Sequence, residues 1–492
     1  MQRCAGLLLP ISALPAPYGI GTLGRAAYDF IDFLHHAGQR VWQMLPAGPT
    51  GYADSPYQSV SAFAGNPYFI DPDLLKNDGL LTDEEIGGGW GINPRAVDYG
   101  AVYARRPDVL RIACRRVLAR EPDALDAFRA ENAHWLPDYA LFMALKRHYG
   151  MRPWMKWPNR ALVNRAPDAL ARYRKRLSED ILFFETVQML FFRQWDALKR
   201  YAGARNIRLM GDVPIYTAMD SADVWAHPEN YQLDSRGRPT GVAGVPPDYF
   251  SRDGQLWGNP LYNWAHMRRS GYSWWIQRLK SAARLYDILR IDHFRGFAGY
   301  WRVPYGHRTA RDGRWVKGPG LDFTSAVFSQ VPELEIVAED LGVLTPAVRT
   351  LLEKTGLPGM KVLEFAFSGK NNPYLPHLYS ENCICYTGTH DNPPVRGWAL
   401  DEPDCAQKAR RYCGADDTQP LSQVLIAAGL GSRAKLFIAQ MQDWLDLGAD
   451  CRMNTPGTTE GNWTGRLLPG EADDALAGRI FRLTDAAGRV SS

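Results

Sequence analysis

This sequence predicts an α/β fold: a (β/α)8 barrel of parallel strands, of the TIM type, enlarged by inserted subdomains. Three observations predict it. Short apolar, strand-like runs alternate with amphipathic helical segments along most of the chain. Three of these runs lead to a carboxylate ahead of a polar loop, where a parallel barrel gathers its reactive groups. The chain also has 492 residues, 46% of them hydrophobic, which is more than a bare barrel needs.

The first strand is expected at residues 6–9, ending in a Pro/Gly loop. Arg3 and the apolar run behind it imitate a secretory leader, but Pro10 interrupts a short run that only one basic residue precedes. A helix follows, with Leu23, Ala27, Phe30 and Leu34 at helical spacing, and then a strand at 41–45. Residues 48–177 are too long for a simple connection and are read as a helix-rich inserted subdomain. Ser178 is the expected cap of a long amphipathic helix that leads to a third strand, 207–212. Residues 213–269 form a second insertion with a loop centred on 241–250. Strands ending near Asp292 and Glu339 follow. Thr345-Pro346 opens a helix that Gly356 stops. A sixth strand is expected at 360–366 and a seventh before Asp391. Residues 434–447 read as helix, and 459–467 as the closing strand. The whole of 1–492 is thus one barrel with insertions, and no length remains for a C-terminal β-sandwich.

Composition narrows the function. The formal net charge is +4, and no block of Lys or Arg suggests a nucleic-acid or membrane surface. Basic pairs such as Arg105-Arg106, Arg115-Arg116 and Arg268-Arg269 read as solvated helix faces. No apolar stretch is long enough to span a membrane. Seven cysteines without a regular framework suit a reducing cytoplasm. Cys383-x-Cys385 lacks a second pair or a His cluster to complete a metal site, and no Gly-rich phosphate loop follows a strand. Neither metal nor organic cofactor is expected. The 16 Trp often sit beside Gly, Pro and Asn, where flat rings can stack on sugars, although core packing accounts for many of them.

The acids suggest the chemistry. Two close carboxylates can break or transfer a glycosidic bond, and a third can stabilise the charge that develops on the sugar. Arg290 and Asp292 project to the same side of their strand, so the guanidinium is expected to hold Asp292 ionised. Glu339 must carry a proton at working pH, which burial or a nearby negative charge would favour. His293 and His390 each adjoin an acid and can donate to sugar hydroxyls.

Arg290-Ile-Asp-His-Phe-Arg-Gly, Ala338-Glu-Asp-Leu-Gly and Gly388-Thr-His-Asp391 resemble the α-amylase clan, and more closely its amylomaltases or 4-α-glucanotransferases. Asp54-Ser-Pro-Tyr-Gln-Ser, Gly211-Asp-Val-Pro-Ile-Tyr, Asp220-Ser-Ala-Asp-Val-Trp, Asn454-x-Pro-Gly-Thr and the long run from Gly244 to Pro260 are similar to that family too. The resemblance implies retaining transfer of α-1,4-glucan segments to glucose or maltooligosaccharide acceptors. It implies Asp292 as nucleophile, Glu339 as acid/base and Asp391 as transition-state stabiliser. Arg290, His293 and His390 would contact the cleaved sugar and Asp292. Tyr57, Tyr249, Phe250 and Trp257 would line the groove, with Ser55 and Asp212 as polar contacts. The chain departs from the family pattern at Asn392-Pro-Pro and at Asn462-Trp-Thr-Gly-Arg466, neither of which replaces one of the three acids. An α-glucan hydrolase, or a catalytically silent glucan-binding protein, would use the same groove; the silent protein should lack one of the three acids.

Overall fold

The computed structural model describes residues 2–247, 252–342, 344–369 and 372–490. Twelve strands form two sheets among these residues. The larger sheet has eight strands, all paired in parallel. In spatial order from the N-terminus it runs β1 (Cys4–Leu8), β2 (Val41–Gln43), β3 (Arg208–Pro214), β6 (Ile288–Asp292) and β9 (Glu335–Ala338). Beyond the seam come β10 (Gly359–Val362), β11 (Cys383–Tyr386) and β12 (Leu436–Gln440), which pairs back to β1. Two hydrogen bonds draw β9 to β10. Ala338 N–H donates to Pro358 O at 3.0 Å, and Met360 N–H donates to the Asp340 carboxylate at 2.7 Å.

Alternation along the strands divides the side chains into two sets. Leu8, Val41, Met210, Ile288, Val337, Met360, Ile384, Tyr386, Leu436 and Ile438 fill the barrel interior. Leu7, Trp42, Leu209, Leu289, Ile336, Phe437 and their neighbours pack outward in the main core. Strands buried on both faces need apolar residues at nearly every position, which is the pattern of continuous runs seen in the sequence.

The helix Arg25–His36 buries Ala27, Phe30 and Leu34 as their spacing requires. The long helix Ser178–Ala204 begins without a side-chain cap, so Ser178 does not play the capping role expected of it. Helix Pro346–Thr355 ends at Gly356, whose φ of 65° is the left-handed conformation that glycine permits. Between β2 and β3 lie the helices Tyr99–Arg120, Pro122–Glu131, Leu136–His148 and Pro167–Arg176. The smaller sheet is antiparallel, in the order β5 (Gln255–Pro260), β4 (Gly241–Val245), β7 (Gly299–Pro304), β8 (Arg314–Lys317). It therefore takes strands from both sides of β6 in the sequence.

Two further expectations are corrected. Barrel closure comes from Leu436–Gln440, within the segment read as helix, while 459–467 contributes only an isolated bridge between Ala96 and Gly465. A short apolar run without clear periodicity fits a central strand as well as a buried helix, and here it leads into the short helix Met441–Trp444. Arg106 is fully buried rather than solvated. It donates to Ile70 O at 2.7 Å, and its guanidinium lies 4.7 Å from the Trp90 ring.

Candidate active site

At the C-terminal end of the barrel, β3 and β6 place Asp212 and Arg290 opposite each other in register. Both are almost completely buried. The guanidinium spans two acids: its Nη1 bonds Asp212 Oδ2, and its Nη2 donates to Asp292 Oδ1 at 2.9 Å. Nε rests against Met360 Sδ at 3.4 Å. Tyr57 OH also donates to Asp212 Oδ2, at 2.8 Å, and lies 3.2 Å from His390 Nδ1. Ser55 holds the backbone of Tyr57, whose N–H donates to Ser55 Oγ at 3.2 Å.

Asp292 ends β6, with its side chain 30% exposed to the cleft. Burial raises its carboxyl above the ordinary range, and the Arg290 charge, the strongest opposing influence, does not fully offset that rise. The expected ion pair is present, but burial outweighs it, and the pattern of residues in one strand could not show that balance. Asp212 and Asp391 add negative charge, while His390 acts in the opposite direction.

Glu339 lies one residue past β9. The pair Ile291 and Ala338 is in register, so Asp292 and Glu339 follow at matched positions on adjacent strands. Such strands lie about 4.8 Å apart, which sets the two carboxyls side by side. Glu339 Oε2 accepts from His293 N–H at 2.8 Å, and Oε1 accepts from Leu341 N–H at 2.7 Å. Burial and then the charge of Asp292 push this carboxyl up to about 7. Glu339 therefore keeps its proton in a share of the molecules at neutral pH, while the Arg290 guanidinium bonded to Asp292 favours the ionised form of that acid.

His293 adopts a φ of 53°, which turns the chain sharply after Asp292 and aims its N–H at Glu339. Its imidazole is buried, and burial lowers its pKa to about 3, so it stays neutral. Trp257 on β5 meets this ring edge to face, with centroids 4.7 Å apart. Tyr249 and Phe250 lie outside the described residues.

Asp391 stands on the loop after β11 rather than on the strand itself. Its side chain is 46% exposed, and Oδ1 accepts from Asn454 Nδ2 at 2.6 Å. Arg452 Nη2 bonds the Asp391 carbonyl. His390 is buried, stacks on Tyr57 with centroids 4.9 Å apart, and brings Nε2 to 3.4 Å from Asp391 Oδ1. Beneath the loop, Asn392 Oδ1 accepts from both the N–H and the hydroxyl of Thr389, at 3.0 and 2.9 Å. A Cβ on Gly388 would fall 2.8 Å from Gln440 Nε2 and 2.9 Å from Glu364 Oε1 and Asn392 Cβ, so any larger residue would force these side chains to shift.

Arg290, Asp292, Glu339, His293, His390, Tyr57, Asp212 and Trp257 thus form one connected constellation, with Asp391 at its edge. Asn454 and Arg452 were missed as functional positions. The Asn454-x-Pro-Gly-Thr run marks a loop, yet nothing in its residues names Asp391 as the partner.

The sequence model of the 4-alpha-glucanotransferase family matches residues 9–470. The chain belongs to that family. It is 48% identical over 504 residues to a 4-alpha-glucanotransferase from Thermus thermophilus, covering 100% of each chain. It is 44% identical over 484 residues to the Clostridium butyricum 4-alpha-glucanotransferase, covering 97% of this chain and 99% of the relative. An amylomaltase from Streptococcus agalactiae, solved in complex with acarbose, superposes with a TM-score of 0.97 at 40% identity, covering 99% of this chain and 100% of that one. The amylomaltase from Corynebacterium glutamicum shares the fold at 18% identity, with a TM-score of 0.79 and coverage of 99% and 75%. Family membership fixes the class of activity as 4-alpha-glucanotransfer. No helix among the described residues is long and apolar enough to cross a membrane.

Proposed function

We propose that the chain transfers α-1,4-glucan segments to glucose or maltooligosaccharide acceptors by a retaining double displacement centred on Asp292 and Glu339. The observation that carries this reading is the adjacent acid pair with unequal proton affinity. Glu339 is pushed up to about 7 beside an Asp292 bonded to Arg290.

In the first step a carboxylate oxygen of Asp292 attacks the anomeric carbon, and the glycosidic C–O bond breaks. The Glu339 proton passes to the departing 4-oxygen. In the second step the acceptor hydroxyl gives its proton to the Glu339 carboxylate and attacks the same carbon, and Asp292 leaves. Each displacement inverts the anomeric centre, so the product keeps the α configuration. Asp391, oriented by Asn454, stabilises the positive charge on the ring in both transition states. His390 and Arg290 hold the cleaved sugar and Asp292. Trp257 lines the groove beside His293. A cytoplasmic setting suits the seven cysteines, which form no disulfide among the described residues.

Incubation with maltotriose tests the reading. A ladder of longer maltooligosaccharides together with free glucose supports transfer, whereas glucose and maltose alone would mean that water takes the glycosyl group.

A further inference from the structure

Arg295 closes the run that begins at Arg290, yet none of the steps above uses it. It lies in the turn of 3-10 helix Phe294–Phe297, immediately after His293. Its guanidinium sits 4.4 Å over the ring of Trp315. Its Nε is buried without a hydrogen-bond partner. A guanidinium donor withheld from water and left unbonded is costly, so this one calls for a partner.

Trp315 is equally unusual in its setting. It lies on β8 and is 46% exposed, one of the few large aromatics with so much open surface. It does not swing freely. Arg295 covers it from one side, and Trp301 on β7 meets it at 66° with centroids 5.3 Å apart. Trp301 is itself anchored by its Nε1 donating to Ala310 O at 2.8 Å. A fixed, half-open indole beside a guanidinium suits a pyranose ring, whose apolar face stacks while its hydroxyl edge accepts hydrogen bonds.

The position fixes which part of the glucan is bound. The turn that carries Arg295 is bonded to the acid/base itself, with His293 N–H donating to Glu339 Oε2 at 2.8 Å and Phe294 N–H to Glu339 O at 3.1 Å, so Arg295 stands on that side of the cleft. Whatever Glu339 protonates on departure, or deprotonates on arrival, occupies that same side. We propose that Arg295 and Trp315 form a binding subsite for the acceptor glucan chain, adjoining Glu339. The inference rests on the glucanotransferase reading and adds to it the residues that select sugar over water.

The test uses the full chain with α-maltosyl fluoride as donor, because fluoride departs without occupying that subsite, and maltose as acceptor. In Trp315→Ala and Arg295→Gln the maltose concentration giving half-maximal transfer should rise about tenfold, equivalent to about 1.4 kcal/mol. Fluoride release without acceptor should change by a clearly smaller factor. Trp315→Phe, which keeps an aromatic face and guards against misfolding of the alanine variant, should recover most of the affinity. Half-saturation within twofold of wild type in both variants would overturn the proposal. So would an equal fall in transfer and in acceptor-free release. Wild-type protein that transfers nothing to maltose would instead overturn the functional reading beneath it.

Discussion

Replacing Glu339 by Gln should abolish transfer and yet stabilise the folded protein at alkaline pH. The carboxyl is raised from its ordinary 4.5 to about 7, with burial the larger cause and Asp292 the second. A group bound more tightly to its proton in the folded state costs nothing below the unfolded pKa. The cost grows between about 4.5 and 7 and is complete above the folded value. At about 1.4 kcal/mol per pH unit the upper limit is about 3 kcal/mol. Glu339 is partly open to the cleft, and solvent screening there reduces the figure to about 1–2 kcal/mol. In a chain of this size that corresponds to about 2 °C in Tm. Thermal unfolding of wild type and Glu339→Gln at pH 5.5 and pH 8.5, at matched scan rates, reads the difference. The variant should gain relative to wild type as pH rises. In parallel, wild-type transfer should fall about tenfold per pH unit above about 7, as the proton for the leaving oxygen is lost. A Tm difference that is the same at both pH values, together with transfer undiminished at pH 8.5, would refute the reasoning.

Arg290→Met leaves Asp212 and Asp292 buried without their cation and should cost about 3–5 kcal/mol in denaturant unfolding, with transfer lost. Asn454→Ala removes the donor that orients Asp391, worth about 1.5–3 kcal/mol, and should lower kcat/KM about 10- to 150-fold with little change in stability. Trp257→Ala removes the ring packed on His293 and should lower the transfer-to-hydrolysis ratio with maltotriose, an oriented acceptor being favoured by prior positioning that water lacks. An unchanged ratio would reduce Trp257 to an anchor of its strand.

Much of this was legible in the residues. Apolar runs ending in Asp292 and Glu339 marked strands whose ends carry acids, because parallel barrel strands are apolar on both faces until they meet the cleft. The i,i+2 spacing of Arg290 and Asp292 gave their pairing, because alternation is a local property. Burial is not local. The rise in the Asp292 pKa despite its cation depends on what β3, β9 and the Asp391 loop stack around it. Asn454 reaches Asp391 from 63 residues away, and Asn392 and Thr389 brace each other in a loop whose shape no periodicity encodes. The closing strand was misread for a different reason. Leu436–Gln440 is buried all round, and a run without alternation carries no period to tell strand from helix.

The most direct test of the central claim is to trap the covalent intermediate. A fluorinated α-maltosyl donor, reactive enough to form the glycosyl-enzyme and too slow to release it, is incubated with wild-type protein. The product is then digested and sequenced by mass spectrometry. The account predicts one maltosyl unit on the peptide containing Asp292, and no adduct with Asp292→Asn. An adduct on another residue, or its absence while β-configured product accumulates early in turnover, would contradict the account.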